Sequence, residues 1–468
     1  MEHIRKSIVQ ARVVCTEYDE QVPSRILGSS EYTGTCFRVD HRLFPFGKKV
    51  LFLTNFHVCD NADERRVHLR TASMGKNALT GYVEAVVPQL DCAVISVCSE
   101  HDRWYLDEDP QEWIDAITVA PLCLDRISTT MHQVSTIGFP QGLEEQLSSG
   151  WLAGRGSDDM DMLQLNISIN SGNSGGPLFN KDGKVIGICT ATLNESEGIA
   201  FAVPIFSVLS YFEKYYQSPF GRFPQWGFEL MPMTDAFAEE YDIRAVGAVV
   251  NTIIKRGVLQ KGDVLHAIDN GTFRVELDRF GLIRDETRGS KITVHNTEFL
   301  MRLTPDKVKL VFTRKGVCST VHCAPSVIDY KVVDTYREWN PSKWYAFGDM
   351  TLQGLSKNLL TDEAMTAEKL VDLVEHLKRT RCLKEIVVVS YVKPGSYLSS
   401  LELPQEFDVV SKIGRCRVRG MDHCRELLED VKVRWLAGEQ KRVCLQTSSG
   451  DVWLNLDQMW NRNKRKRT

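Results

Sequence analysis

Residues Gln164–Asn180 read QLNISINSGNSGGPLFN, and the turn at their centre, GNSGGP at 172–177, decides how the whole chain is interpreted. This turn stands between apolar segments and presents the hydroxyl of Ser174 on an uncrowded backbone, because glycine accepts positive φ angles and lets another backbone approach closely. Acyl transfer needs such a turn, since a serine attacks a carbonyl carbon while neighbouring backbone N–H groups hold the developing oxyanion. The alternative is a loop that only turns the chain, and the choice depends on whether the serine has partners.

Two residues upstream have the chemistry of those partners. His57 ends the apolar run that starts at Leu51, and Asp91 stands just before the apolar run Cys92–Val97. Alone, a histidine after a strand is usually structural, and an aspartate before a strand is usually a turn residue. Together with Ser174 they follow the order His, Asp, Ser, which is the chain order of the triad in the chymotrypsin-like double β-barrel. The sequence therefore predicts a catalytic triad of His57, Asp91 and Ser174.

Four motifs resemble those of the HtrA/Deg serine proteases. They are TNxHV at Thr54–Val58, DxAVxxV at Asp91–Val97, GNSGGPL at 172–178 and GIxFAVP at Gly198–Pro204. The resemblance implies a chymotrypsin-like protease domain with the same triad. It also implies that the backbone N–H groups of Gly172, Asn173 and Ser174 form the oxyanion hole.

The composition limits the partners of the chain. Its 468 residues suffice for about three domains, and its net charge of −4 provides no basic surface for specific binding of nucleic acid. No apolar run approaches the roughly 18 residues of a membrane-spanning helix. No Cys-x-x-Cys pair or His/Cys cluster suggests a metal site. We therefore expect no cofactor, no metal, no membrane partner and no specific nucleic-acid partner.

The cysteines and the two ends of the sequence bear on localisation. Thirteen cysteines, an odd number scattered over all regions, favour free thiols in a reducing compartment over a disulfide framework. The N-terminal residues lack the apolar core of a secretory signal. The basic tail at 462–468 fits either a nuclear localisation signal or a disordered end. We expect an intracellular protein, either cytoplasmic or nuclear.

The chain is expected to be mainly β and multidomain. Short strand patterns between turn residues fill residues 1–216, the protease domain, which a helix at Ile205–Tyr216 closes. After a Pro/Gly-rich linker, residues 222–327 resemble a PDZ domain. The resemblance rests on Gly262-Asp263 and Asn270-Gly271. The spacing between these two pairs is one residue longer than in the PDZ motif. In this region, 247–254 has the pattern of a strand pair.

Residues 328–461 are expected to form a second, degenerate PDZ-like α/β domain. Phe407-Asp408 resembles the Gly-Asp of the first, with the later asparagine lost, and Leu370, Leu373, Val374 and Leu377 have the spacing of one helix face. This architecture, without an exported N-terminus, is most similar to the plant-type intracellular Deg proteases.

The resemblance implies an ATP-independent serine endopeptidase that hydrolyses unfolded or damaged proteins. The alternative is a chaperone or scaffold that binds through its PDZ-like domains while the protease domain rests. The pocket for the substrate side chain is expected at Ile169, Cys189, Thr190, Ala191 and Thr192, none of which is charged. Peptide capture is expected at Trp226, Gly227, Phe228 and Glu229. The partners are protein or peptide substrates and further copies of the chain, in a homo-oligomer built from trimers.

Overall fold

The structure is a computed structural model of the 468-residue chain, and it falls into two units. One unit comprises residues 1–14 and 31–328, and the other comprises residues 15–30 and 329–468. The residues that the structure describes are 2–47, 50–75, 77–97, 109–127, 132–139, 145–156, 162–167, 169, 172–190, 199–240, 246–255, 257–286, 289–327, 336–360 and 385–461.

The described N-terminal strands close into a barrel. After helix α1 (Glu2–Arg5), the strands are β1 (Ile8–Tyr18), β2 (Ile26–Val39), β3 (Val50–Thr54), β4 (Arg66–Arg70), β5 (Leu79–Val87) and β6 (Cys92–Val97). Their order around the barrel is β1-β2-β3-β6-β5-β4. Strand β6 is buried at every position, because it has the apolar sequence CAVISV and lies between β3 and β5. His57 therefore follows one central strand, and Asp91 precedes its neighbour.

A second barrel follows in the same unit. Its elements are α2 (Pro110–Ala116), β7 (Gln133–Gly138), β8 (Gln146–Arg155), β9 (Leu163–Asn166), β10 (Pro177–Asn180), β11 (Val185–Thr190), β12 (Ala200–Pro204) and the closing helix α3 (Ile205–Lys214). The strands close in the order β10-β11-β12-β9-β8-β7. The predicted chymotrypsin-like double barrel is confirmed, and Ser174 lies in the connection between β9 and β10.

A mixed α/β region completes this unit. Its elements are β13 (Phe228–Met231), α4 (Asp235–Glu240), β14 (Ala248–Ile253), β15 (Val264–Asp269), β16 (Arg274–Glu276), β17 (Leu282–Asp285), β18 (Ser290–Thr293), α5 (Thr297–Arg302), β19 (Lys309–Arg314) and β20 (Val317–His322). The main sheet has the order β13-β14-β15-β19-β20. The strand pair predicted over 247–254 is wrong: this stretch is the single strand β14, because Asn251 lies exposed within the strand and does not form a turn.

The second barrel and this α/β region share buried contacts. Helix α3 leads to Tyr215, whose hydroxyl donates to the carbonyl oxygen of Leu300 in α5 at 3.3 Å, and Lys214 donates to that of Met301 at 2.8 Å. One continuous hydrophobic core contains Phe212 of α3 and Phe299 of α5. The short helix of the α/β region therefore packs against the closing helix of the protease domain.

A buried ion cluster joins the same two regions. Glu298 of α5 accepts from both Arg126 and Arg155, and Arg126 also lies 3.0 Å from a carboxylate oxygen of Asp285. The side chain of Glu298 is only 2% exposed. Charges this deeply buried are stable only when they are paired and hydrogen-bonded, so the loss of one partner leaves the others uncompensated.

Glu298→Ala is therefore expected to lower the free energy of unfolding by about 3–5 kcal/mol. Urea denaturation followed by tryptophan fluorescence measures this. The matched control is Glu31→Ala, which breaks an exposed pair with Arg12 and should cost about 0–1 kcal/mol. Equal losses in the two variants would contradict a stabilising role for the buried cluster.

The second unit has its own core. Its elements are β21 (Trp344–Phe347), β22 (Met350–Gly354), α6 (Lys357–Leu360), β23 (Val387–Val392), β24 (Val410–Ile413), β25 (Cys416–Arg417), α7 (Met421–Leu436), β26 (Arg442–Thr447), β27 (Asp451–Asn455) and α8 (Leu456–Asn461). They form a sheet β21-β22-β23 and a sheet β25-β24-β26-β27. The predicted helix face at Leu370, Leu373, Val374 and Leu377 and the tail 462–468 lie outside the described residues.

The described residues also show which helices could span a membrane and whether the cysteines are bonded. None of the helices among them is long and apolar enough to cross a membrane. The cysteines among them, including Cys36 and Cys59 beside the histidine motif, are free thiols.

Candidate active site

The turn that carries Ser174 is tightly enclosed. Gly172 and Gly175 have φ angles of 98° and 85°, in the left-handed region that favours glycine. A Cβ atom on Gly175 would lie 2.1 Å from the carbonyl oxygen of Thr35, so only glycine fits there. The backbone N–H of Gly175 donates to Cys189 at 2.8 Å. These contacts fix the conformation of the residues on both sides of the serine.

Thr35 of the first barrel anchors the serine turn. Its backbone N–H donates to the carbonyl oxygen of Ser174 at 2.8 Å, and its hydroxyl donates to that of Gly172 at 2.6 Å. Thr54, close to His57 in the sequence, donates its hydroxyl to Thr35 in turn at 2.8 Å. The serine turn of the second barrel is thus held against the strand that leads to the histidine. Sequence reasoning missed Thr35, which stands in no motif that we used.

His57 and Asp91 form a direct pair. The Nδ1 atom of His57 lies 2.9 and 3.0 Å from the two carboxylate oxygens of Asp91, and the backbone N–H of His57 donates to one of them at 3.0 Å. Asp91 has the left-handed conformation, with φ 43° and ψ 48°. Such backbone conformations are uncommon outside glycine, are tolerated best by Asn and Asp, and cluster at functional sites. The pairing fixes the imidazole with Nε2 directed away from Asp91.

Two further side chains hold Asp91. Thr190 donates its hydroxyl to the second carboxylate oxygen at 2.9 Å, and Asn55 donates its amide to the backbone carbonyl oxygen at 3.0 Å. Thr190 belongs to strand β11 of the second barrel, so both barrels orient the aspartate. Thr190 is also one of the residues predicted for the substrate pocket, and its hydroxyl is directed at Asp91.

The other residues predicted for the substrate pocket differ in their positions. Cys189 is completely buried, with its Sγ atom 3.2 Å from the hydroxyl of Thr136, so its side chain lies in the interior of the second barrel and not in a pocket. Ile169 is partly buried against the same core. Ala191 and Thr192 lie outside the described residues.

Exposure differs within the triad. Ser174 is only 4% exposed, whereas the side chain of His57 is 43% exposed. The serine turn is buried because Thr35, Cys189 and their strands cover it on two sides. Of the three residues, His57 is therefore the most exposed to solvent.

The predicted peptide-binding segment begins at a buried anchor. Trp226 is completely buried, and its indole N–H donates to the carbonyl oxygen of Val294 at 2.8 Å. Phe228 is buried beside it, with 5.5 Å between the ring centroids, while Glu229 is exposed. The carbonyl oxygen of Gly227 accepts from two backbone N–H groups. A ligand at this segment would therefore meet backbone and Glu229, and not the two aromatic rings.

The electrostatics of the site favour a protonated imidazole. Burial is the largest single effect and lowers the pKa of His57, but the hydrogen bond and charge of Asp91 and the charge of Asp60 outweigh it. The net pKa of His57 is therefore raised. Burial also raises the pKa of Asp60 to about 6.

The pH dependence of hydrolysis follows from this shift. A general base must be neutral, so kcat/KM is expected to rise with pH and to reach half its maximum above about pH 6.5, the unperturbed value for histidine. Asp60→Asn removes a charge that favours the imidazolium, so it should move the midpoint to lower pH. Initial rates between pH 5 and 9 measure both profiles. A midpoint that stays or rises in Asp60→Asn would show that Asp60 does not act on His57.

No group of three or more His, Cys, Asp or Glu residues in the described part of the chain is arranged to hold a metal ion. The groups at the site are instead those of acyl transfer: a hydroxyl, an imidazole and an orienting carboxylate.

Comparison with known proteins agrees with this chemistry. Residues 34–188 match the family model of the trypsin-like peptidase domain. The chain is 27% identical to the putative serine protease HhoA of Synechocystis, over 47% of this chain and 57% of that protein. It is 28% identical to a probable periplasmic serine endoprotease, DegP-like, of Pseudomonas fulva, over 53% of this chain and 51% of that protein. It is 26% identical to the serine protease HTRA1B of Danio rerio, over 57% of each.

These matches define the type of the protease domain. The chain spans about half the length of the curated relatives it matches. Its residues 34–188 match a trypsin-like peptidase domain, and the relatives it matches are named as serine proteases of the HtrA/DegP type.

Proposed function

We propose that the protein is an ATP-independent serine endopeptidase of the HtrA/Deg type that hydrolyses peptide bonds in unfolded or damaged proteins. The observation that carries this proposal is the contact of both carboxylate oxygens of Asp91 with His57. Thr35, which belongs to the same barrel as these two residues, fixes the serine turn. The named relatives are consistent with the reaction.

The mechanism assigns one role to each residue. His57 takes the proton of the Ser174 hydroxyl through Nε2 as the serine oxygen attacks the peptide carbonyl carbon. Asp91 holds the proton on Nδ1 and stabilises the imidazolium that forms. The backbone N–H groups at 172–174 bind the oxyanion, a type of contact worth about 3–4 kcal/mol per donor. His57 then protonates the leaving amine, and water hydrolyses the acyl-enzyme by the same route.

Unfolded casein tests this function. Incubation of the purified chain with casein in the absence of ATP should give fragments with new N-termini that mass spectrometry identifies. Pretreatment with a fluorophosphonate, which blocks an activated serine, should prevent their formation. Fragmentation that persists after complete modification of Ser174 would contradict the proposal.

We also propose two PDZ-like domains, and the comparison of residues 222–327 with residues 328–461 supports this. In the first region, Val250 donates to Asp263 at 2.8 Å and accepts from Gly262 at 2.9 Å, both through the backbone. The second region repeats these bonds: Val389 donates to Asp408 at 2.9 Å and accepts from Phe407 at 2.6 Å.

Side chains and backbone angles extend this repeat. Asp263 and Asp408 each accept from the backbone N–H three residues before them, at 2.7 and 2.9 Å. Gly262 has a φ of 92°, and Phe407 keeps the left-handed conformation with a φ of 70° although it is not glycine. The degenerate motif thus retains the backbone geometry of the intact one, which supports the interpretation of both regions as PDZ-like.

In the first domain we propose peptide capture along β13. This strand is the last of its sheet, so its outer edge has no strand partner among the described residues from Phe228 to Met231. An extended peptide can add to such an edge through its backbone. If the protease rests, this edge supports the alternative function of a chaperone or scaffold, and casein would then be bound without being cleaved.

The assembly and localisation are also proposals. We propose homo-oligomers built from trimers, on the resemblance to the HtrA/Deg family, and light scattering at micromolar concentration tests this. The free thiols among the described cysteines support a reducing compartment, cytoplasmic or nuclear, and a fluorescent fusion tests that. The plant-type Deg proteases remain the proposed subgroup, which assembly and localisation together would test.

A further inference from the structure

In each PDZ-like domain, one pair of strands has a shift in register at the same place, and this shift aligns the two domains residue by residue. Strand β13 pairs with β14 with a shift in register between Glu229 and Leu230, and Leu230 faces Val250. Strand β22 pairs with β23 with the same shift between Thr351 and Leu352, and Leu352 faces Val389. Since Val250 and Val389 already correspond, β22 of the second domain corresponds to β13 of the first.

The two domains differ at the outer edge of these equivalent strands. The edge of β13 is the proposed peptide site, whereas β21 lies along β22. The pairing is antiparallel, with Trp344 opposite Gln353 and Phe347 opposite Met350, and Gly354 N–H donates to the carbonyl oxygen of Lys343 at 3.0 Å. The edge that is open in the first domain is therefore filled by the chain itself in the second.

Helix α7 flanks this added strand on its other side. The hydroxyl of Tyr345 donates to Glu429 at 2.7 Å, and Arg425 donates to the carbonyl oxygen of Trp344 at 2.8 Å. Phe347 points to the same side as Tyr345 and is 1% exposed, with its ring centroid 5.1 Å from that of Trp460 in α8. Strand β21 thus lies between a sheet edge and a helix, with Tyr345 half-buried and Phe347 buried.

We propose that Trp344–Phe347 is a built-in ligand that occupies the peptide groove of the second PDZ-like domain. A strand that adds to a sheet edge is the recognition mode of PDZ domains, and here the chain supplies that strand in cis. The turn Gly348-Asp349 connects this strand to β22. A ligand tethered by a short linker has an effective concentration in the millimolar range, and the strand has at least this effective concentration at the groove. An external peptide must compete with it, so only the first domain offers a free edge. This inference rests on the PDZ-like interpretation and is independent of protease activity.

The test opens the groove and measures binding of the displaced sequence. The probe is a labelled peptide of residues 341–347, PSKWYAF, with a free C-terminus, titrated into the full chain by fluorescence anisotropy. All proteins carry Ser174→Ala so that the probe is not cleaved. The opening variant is Tyr345→Pro, because proline removes a backbone N–H from the strand and the hydroxyl that contacts Glu429 is lost.

We expect the opening variant to bind the probe at a new site, at least tenfold more tightly than the unopened chain. The new site should disappear when Glu429→Ala is added, which separates it from binding at β13. The matched control is Trp453→Pro, a proline at an exposed aromatic residue in β27, the opposite edge strand of the same domain. It should create no new site.

Three results would overturn the proposal. The first is a Glu429-dependent site of the same affinity in the unopened chain, which would mean that the groove is not occupied. A folded Tyr345→Pro variant without a new site, or cooperative unfolding of the domain in that variant, would make β21 an integral strand and not a ligand.

A disulfide staple tests the position of β21 without opening it. Ala346 and Thr351 face each other across the two strands, at a separation that suits a cross-strand pair. The double variant Ala346→Cys, Thr351→Cys should form this bond in the folded chain under mild oxidation, as peptide mass mapping would show. Failure of the bond to form would contradict the occupied groove.

Discussion

Ser174→Ala is expected to lower the hydrolysis of unfolded protein by a factor on the order of 10⁶, the loss that follows removal of the nucleophile from a comparable triad. Without the hydroxyl, no acyl-enzyme can form, and only oxyanion binding and substrate positioning remain. The fold should be unchanged, because the backbone carbonyl oxygen of Ser174 still accepts from Thr35. Initial rates on a fluorogenic casein, together with circular dichroism, measure both effects.

The control for this variant is Ser149→Ala. Ser149 is an exposed serine in β8, on the outer face of the second barrel, and its loss should leave the rate within a factor of about two. If Ser174→Ala retained more than a hundredth of the wild-type rate in a pure preparation, the assignment of the nucleophile would be incorrect.

Asp91→Asn is expected to reduce kcat about 10⁴-fold while the fold is retained. The asparagine amide accepts at only one of its side-chain atoms, so the bond from the backbone N–H of His57 to one oxygen and the bond from Thr190 to the other cannot both be kept. The imidazole then adopts the wrong tautomer and can no longer take the serine proton. Single-turnover rates with an activated ester and a peptide substrate measure the loss.

Asp60→Asn is the matched control for Asp91→Asn. It also removes a carboxylate that acts on His57, but through its charge and not through a direct hydrogen bond. At a pH well above the midpoint it should leave kcat within about threefold, since His57 is already neutral there. Similar losses in the two variants would mean that bulk electrostatics, and not the orientation of the imidazole, accounts for the role of Asp91.

The pairing of His57 with Asp91 was predictable because short local motifs carry both residues. The residues that position this pair and the serine turn were not. Thr35 contacts Gly172 across 137 positions, and Thr190 contacts Asp91 across 99, and no local pattern encodes such pairings. Sequence reasoning named Thr190 only for the substrate pocket and did not predict its bond to Asp91, because adjacent residues of β11 alternate in direction and the sequence does not tell which face the hydroxyl occupies.

Some strands carry no clear pattern in the sequence, for an equally physical reason. Strand β8 reads QLSSGWLAGR, and its outer face is exposed over most of its length, including Trp151, so its apolar residues do not alternate with polar ones. Strand β21 lies outside the motif at Phe407-Asp408, so that motif could not reveal it.

Covalent labelling is the sharpest check on the assignment of Ser174 as the nucleophile. The chain, mixed with unfolded casein so that substrate is present, is treated with diisopropyl fluorophosphate, and the modified peptide is identified by mass spectrometry. We expect one adduct, on Ser174. Its formation should follow the loss of casein cleavage and should be much slower in Asp91→Asn. Cleavage that is inhibited while Ser174 remains unmodified, or an adduct on another serine that tracks the loss of activity, would contradict this assignment.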